Sequence, residues 1–180
     1  MFRLFRQMSL ISAMSFAACL TILTISWPTF GAEPVRGGTL NIAFRFTVAS
    51  LDPLFGNAPG VDRKIFNLFA ENLLFQDQSG NFHPVLAKSW KLSDDGKTLH
   101  FYLRPEVKFQ DGTPFDAEAV KFNLDRLLDP KVKAPASQYM ADLESVEVVD
   151  VLTVRLNLKR KSGVILAMLA VEPGSMVSPT

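Results

Sequence analysis

Leu86-Ala87-Lys88-Ser89-Trp90-Lys91-Leu92-Ser93-Asp94-Asp95-Gly96-Lys97-Thr98-Leu99-His100-Phe101-Tyr102-Leu103-Arg104-Pro105-Glu106-Val107-Lys108-Phe109-Gln110-Asp111-Gly112-Thr113-Pro114-Phe115-Asp116-Ala117-Glu118-Ala119-Val120, continuing to Leu128, places two Asp-Gly turns, an alternating strand and a capped helix almost without spacer. Leu99, Phe101 and Leu103 face one way and Thr98, His100, Tyr102 and Arg104 the other, so 97–104 reads as a half-buried antiparallel strand. Ser93 to Lys97 is a tight hairpin turn in which Gly96 supplies the positive φ. Asp111-Gly112 makes the second turn. Asp116 has the side chain of an N-cap, Glu118 suits the positive end of a helix, and Phe115 is placed to staple onto Val120. Val120, Leu124, Leu127 and Leu128 then form an apolar stripe that Asp129-Pro130 ends. Each prominent residue here has a structural use, and His100 reads as a surface residue.

Upstream, residues 1–32 have the form of an export signal. Arg3 and Arg6 make a positive start, Met8 to Trp27 carries no charge, and Pro28 precedes Thr29-Phe30-Gly31-Ala32, where cleavage can follow Gly31 or Ala32. Two other readings also export the chain: an uncleaved anchor, and a lipoprotein-type box at Phe16-Ala17-Ala18-Cys19. Thr39 to Phe46 alternates and reads as a strand, Leu51-Asp52-Pro53 as an extended-to-turn transition, and 55–60 as a loop. Ile65, Leu68, Phe69, Leu73 and Leu74 recur at helical spacing, predicting a helix over 63–75. A polar turn follows at 76–81, ended by His83-Pro84.

Downstream, 129–139 reads as a loop. Val146 and Val148, then Leu152, Val154, Leu156 and Leu158, alternate as a hairpin about Asp150. Lys159-Arg160-Lys161 is a solvated turn, Ser162 is placed to cap a helix through Ala170, and Met176-Val177 begins another strand. That strand has no successor before Thr180, which predicts a truncated domain.

Composition sets the function classes. A 180-residue chain, 48% hydrophobic and 21% charged, is ordinary globular material. Its net charge is +1, about −1 without the leader, which gives no electrostatic case for nucleic acid. Cys19 lies in the leader and the two histidines are His83 and His100, so neither a disulfide framework nor a Cys/His metal site is expected. There is no Gly-x-Ser-x-Gly elbow, phosphate loop or calcium loop. Asp94-Asp95 and Asp142-x-Glu144 are acidic pairs in polar turns or at element edges. The residues alone describe an exported, non-catalytic α+β domain with no cofactor. Other readings stay open at this point: an exported enzyme, a chaperone-like or peptide-binding module, and a non-functional fragment.

Three segments carry a resemblance. They are Leu86-Ala87-x-Ser89-Trp90; Asp95-Gly96-Lys97-Thr98-x-x-Phe101-x-Leu103-Arg104; and Val107-Lys108-Phe109-x-Asp111-Gly112-Thr113-Pro114-Phe115-x-Ala117-Glu118-x-Val120. Together with Gly37-Gly38-Thr39-Leu40, Leu51-Asp52-Pro53, Ser145-Val146-Glu147 and Met176-Val177-Ser178-Pro179, they resemble the family 5 extracellular solute-binding proteins. These are dipeptide-, oligopeptide- and nickel-binding receptors of ABC importers.

The resemblance implies an α+β / α/β fold, periplasmic-binding-protein-like (type II). Here it would comprise the N-terminal lobe with an inserted small α+β domain, the second lobe missing. It implies a signal peptide over 1–32, the start of lobe I over 33–59, the inserted domain over 60–160, and a truncated return to lobe I over 161–180. It further implies a periplasmic, monomeric protein that captures peptides or similar small solutes for an ABC permease in the inner membrane, with no nucleic-acid partner. The loop after Leu51-Asp52-Pro53 borders the ligand cleft in this family, which makes Phe55, Gly56, Asn57, Ala58 and Pro59 the ligand-binding candidates; no catalytic or metal residue is implied. Where peptide receptors often place an aromatic after the helix, this chain has Pro135-Ala136-Ser137-Gln138-Tyr139, which leaves the ligand class open.

Overall fold

A computed structural model describes residues 37–39, 41–43, 50–55 and 65–180. The chain divides into two compact units, Met1–Ala43 and Phe44–Thr180. In the first, the described residues 37–39 and 41–43 are exposed and without regular structure, so 41–43 do not form the expected strand; the rest of that expectation, and the leader, lie outside the described residues. Among the described residues no helix is long and apolar enough to cross a membrane.

The second unit is built on a four-stranded antiparallel sheet. The inner strands of its two hairpins alternate as expected, while the outer ones carry register irregularities. Strand β3 (Ala87–Leu92) pairs with β4 (Thr98–Leu103), and β5 (Leu143–Asp150) with β6 (Thr153–Leu158), in the order β3-β4-β6-β5. Strands β1 (Leu74–Gln76) and β2 (Phe82–Pro84) form a separate small hairpin. Gly96 closes the β3–β4 turn at φ +69°, where the Asp95 carboxylate accepts from the Ser93 hydroxyl (2.6 Å) and the Lys97 amide (3.0 Å). The inner face of the sheet, made by Leu99, Phe101, Leu103, Val154, Leu156 and Leu158, is buried. The outer face carries His100, Tyr102, Arg155 and Asn157, with Arg155 paired to Glu147 across β5 and β6.

Helix α1 (Ala117–Leu128) covers the inner face near β5 and β6. Its cap forms as the sequence dictates: the Asp116 carboxylate accepts from the Ala119 amide at 2.9 Å, and Phe115 and Val120 are both buried in the same core. Val120, Leu124 and Leu127 point inward, and Asp129-Pro130 ends the helix.

Several connections differ from the periodicity. The helix expected over 63–75 is helical at 65–66 and turns through 67–69; its first residues lie outside the described set, and from Asn72 the chain is extended. The reason is backbone pairing. The Leu73 amide donates to the Gly174 carbonyl (3.2 Å) and the Met176 amide to the Glu71 carbonyl (3.0 Å). The Asn72 side chain donates to the Ala170 carbonyl (2.9 Å) and accepts from the Ser175 hydroxyl (2.6 Å). Leu73 and Leu74 are both fully buried, so an apolar stripe that fits a helix equally fits an extended segment covered on both sides. The polar turn stands at 77–81, and His83-Pro84 ends it as part of strand β2. The loop expected over 129–139 contains a 3-10 turn, Pro135–Met140, with Ala136 and Met140 buried.

Helix α2 (Ile165–Leu169) is shorter than expected. Val164, not Ser162, stands at its N-cap position, without a side-chain bond. A second 3-10 turn, Glu172–Gly174, follows, and Gly174 is required there because a Cβ would sit 1.9 Å from the Leu169 carbonyl oxygen. Leaving that turn, Ser175 pairs with Asn72 through an isolated antiparallel bridge.

One buried polar side chain locks this return segment to the helix. Asn123, 3% exposed, donates to the Ala119 (2.9 Å) and Val177 (2.8 Å) carbonyls and accepts from the Val177 amide (3.1 Å). Its carboxamide thus serves Val177 as a neighbouring strand would. Asn123→Ala strands both backbone groups and is expected to cost about 2 kcal/mol, read as a lower urea midpoint with an unchanged slope.

The β1–β2 turn gathers around Asp77. Its carboxylate accepts from the Ser79 and Asn81 amides (2.9 Å each) and lies 2.8 Å from His83 Nε2. His83 first, then the Asn81 amide, hold the Asp77 carboxyl down at about 2. Because this folded-state value lies below the ordinary one of 3.8, the contribution to stability is in place above pH 3.8 and is lost as pH falls through about 2. His83→Ala is expected to raise the Asp77 value toward, without reaching, 3.8, measured by NMR titration of the carboxyl carbon.

Candidate functional site

Of the five residues expected to face ligand, Phe55 is described; Gly56, Asn57, Ala58 and Pro59 lie outside the described residues. What the structure details is the turn that leads into them. Proline at 53 fixes φ and bars the preceding residue from helix, and the chain folds into a 3-10 turn over Pro53–Phe55. Asp52 organises it. Its amide donates to Ser50 Oγ (3.0 Å), its Oδ1 accepts from the Leu54 amide (3.1 Å), and its carbonyl accepts from the Phe55 amide (3.0 Å). The other carboxylate oxygen, Oδ2, pairs with Arg126 on α1. Leu54 is buried in the core, and Phe55 packs against it while half-buried.

Three 3-10 turns converge here: Pro53–Phe55, Pro135–Met140 and Glu172–Gly174 pack on one another. Tyr139 stands on the second of them, 47% exposed, next to the buried Met140. Sequence reading treated its segment only as a departure from a pattern; the available signal was an aromatic ring beside a buried methionine in a proline-initiated turn. The structure therefore brings the Phe55 and Tyr139 turns together from positions far apart in sequence. A half-buried ring, an exposed phenol and turn backbone can offer stacking and hydrogen bonding to a small solute.

Four other carboxyls have structural partners. Asp95 closes its hairpin, its carboxyl lowered chiefly by the Ser93 hydroxyl. Asp142 is lowered first by Arg160, which lies 2.7 Å away, and Glu147 first by Arg155. Asp111 is held far below the carboxylate range, first by the Ser178 hydroxyl and then by Thr180. Among the described residues, every carboxyl with a shifted value moves down, which favours the charged, hydrogen-bonded form; a general acid needs the opposite shift. Also among the described residues, no group of three or more His, Cys, Asp or Glu side chains is placed to hold a metal ion.

Comparison with known proteins bears on this arrangement. The family model "Bacterial extracellular solute-binding proteins, family 5 Middle" matches residues 81–178. The glutathione-binding protein GsiB of Salmonella paratyphi A is 34% identical over 157 residues, which is 87% of this chain and 30% of that protein. The NikA structure from Brucella suis, in complex with Fe(III)-EDTA, superposes with a TM-score of 0.69 at 33% identity, covering 78% of this chain and 28% of NikA. An ABC transporter substrate-binding protein from Sinorhizobium meliloti gives a TM-score of 0.59 at 36% identity, covering 72% of this chain and 26% of that one. The chain thus spans less than a third of the length of these relatives. The shared architecture is that of the type II periplasmic binding proteins, of which this chain carries an α+β part. The family model covers more than half of the chain and the fold agrees with it: the protein belongs to the family 5 bacterial extracellular solute-binding proteins.

Proposed function

We propose that this chain is part of the substrate-binding component of an ABC importer, capturing peptides or similar small solutes in the periplasm and passing them to a permease in the inner membrane. The match of the family 5 model to residues 81–178 carries this reading. Family 5 proteins are binders and not enzymes, and we assign this chain no catalytic residue. Residues 1–32 would direct export and be removed. The segment 33–59 would begin lobe I, 60–160 would form the small inserted domain, and 161–180 would return to lobe I. The sheet and helix α1 lying within 87–158 support that division. The protein would act as a monomer.

In this reading Phe55, Gly56, Asn57, Ala58 and Pro59 face the ligand. Tyr139 joins them from the neighbouring turn. The network around Asp52, which fixes the approach to this loop, supports the placement. Relatives named for glutathione or crystallised with a metal chelate define the range of solutes to try.

Thermal shift of the purified chain tests the proposal. A bound solute raises the melting temperature in proportion to ln(1 + [L]/Kd), about 2.7 kcal/mol at a hundredfold excess over Kd, or roughly 5–10 °C for a chain of this size. Glutathione, a dipeptide library and nickel–histidine are the probes. At least one is expected to raise the midpoint, and Asn57→Ala to reduce that rise. Identical melting with and without every probe refutes receptor function for this chain.

A further inference from the structure

Helix α1 lies outside the segment assigned to ligand, yet it holds both segments that flank the sheet domain. Asn123 grips Val177 on the returning side, and one turn later Arg126 reaches Asp52 on the entering side, 74 residues away in sequence. We propose that Arg126 is a positioning residue for ligand capture: acting through Asp52, it fixes the turn that presents Phe55. The proposal rests on the assignment of Phe55 to Pro59 as the ligand-facing loop.

The geometry divides the work of one carboxylate. Asp52 Oδ1 closes the turn by accepting from the Leu54 amide at 3.1 Å, which leaves Oδ2 for the guanidinium. Without the guanidinium the turn can still form, but among the described residues no other polar contact ties it to the helix. Both side chains are largely shielded, 22% exposed for Arg126 and 29% for Asp52, so salt screens this pair less than one on the open surface.

Arg126 is also held from its own helix. Its guanidinium carbon lies 5.6 Å from the centre of the Phe122 ring, four residues back. Asp125, the neighbouring acid on α1, is occupied by Lys121 at 2.6 Å. A planar guanidinium can lie over a ring and donate to a carboxylate at once. An ammonium has no such plane, so lysine should replace arginine only in part. Leu54 is buried in the core apart from this pair, so losing the Arg126 charge is expected to loosen the turn in a protein that stays folded.

Amide hydrogen exchange on the intact chain, without ligand, reads this directly. Arg126→Met keeps length and packing on Phe122 while removing the charge. It is expected to speed exchange at the Leu54 and Phe55 amides about tenfold, and to leave Leu103, whose amide donates to the Leu152 carbonyl in the sheet, unchanged. Arg126→Lys should fall between wild type and Arg126→Met. Asp52→Asn retains an acceptor for the Leu54 amide, and the double variant with Arg126→Met should exchange no faster than the faster single one. Unchanged exchange at Leu54 and Phe55 overturns the proposal. So does an equal rise at Leu103, or additive effects in the double variant.

The same variants are then titrated with glutathione. Arg126→Met is expected to weaken binding about tenfold with little change in the ligand-free melting temperature; unchanged affinity overturns the role in capture. Absence of any glutathione response in the wild type bears instead on the ligand assignment, with the exchange result still deciding whether Arg126 positions the turn.

Discussion

An open antiparallel sheet must bury one face, and here one helix carries much of that burden. Leu99, Phe101 and Leu103 on β4, with Val154, Leu156 and Leu158 on β6, need a cover. The stripe Val120, Leu124 and Leu127 of α1 supplies part of it. At roughly 1.5–3 kcal/mol for each large apolar side chain fully buried, no other set of contacts in this unit competes. The cover is completed by irregular segments: Leu54, Met140, Leu169 and Ala170 join the same core. The opposite face remains polar, with Arg155 and Glu147 paired across the strands, as suits a sheet with water on one side.

Because α1 is fixed by that packing, it can serve as a reference for chain segments that have little regular structure. Asn123 substitutes for a missing strand partner at Val177. Arg126 fixes the Asp52 turn, and the three 3-10 turns then stack beside it. A solute-binding protein benefits from this arrangement, since a loop ordered before ligand arrives spends less of the interaction energy on ordering itself. The hydrogen bonds at Asp52 act at that level: they order the turn that leads into the proposed ligand loop and add little to the core.

Family membership and local chemistry lie in different parts of the chain. The segments that carry the resemblance, from Leu86 to Val120, build the hairpin β3–β4 and the start of α1, and their residues cap, turn or pack. The residues proposed to meet solute lie before them at Phe55 to Pro59, and beyond them at Tyr139. A scaffold of this kind keeps its turn and core residues under strong physical constraint and leaves the contact loops free to differ with the ligand.

The sequence by itself determined the main elements whose pattern is local. Alternation specified β3 to β6, Asp116 and Asp129-Pro130 bounded α1, and Gly96 located a hairpin, because strand faces, caps and turns follow from neighbours within a few residues. It also placed Asp52-Pro53 as a turn, and the resemblance made Phe55 a candidate for meeting ligand. Tertiary structure decided the rest. Leu73 became extended because the Gly174 carbonyl, about a hundred positions away, and the Val85 and Ala87 amides supply its backbone partners, Leu74 because it pairs with Pro84 in β2, and Ser162 lost its expected cap to a helix that begins later. The pairing of Arg126 with Asp52, the grip of Asn123 on Val177, and the meeting of the Pro135–Met140 turn with the Pro53–Phe55 turn have no sequence period. They arise only when long-range packing brings together groups whose hydrogen-bonding needs the local chain leaves unmet.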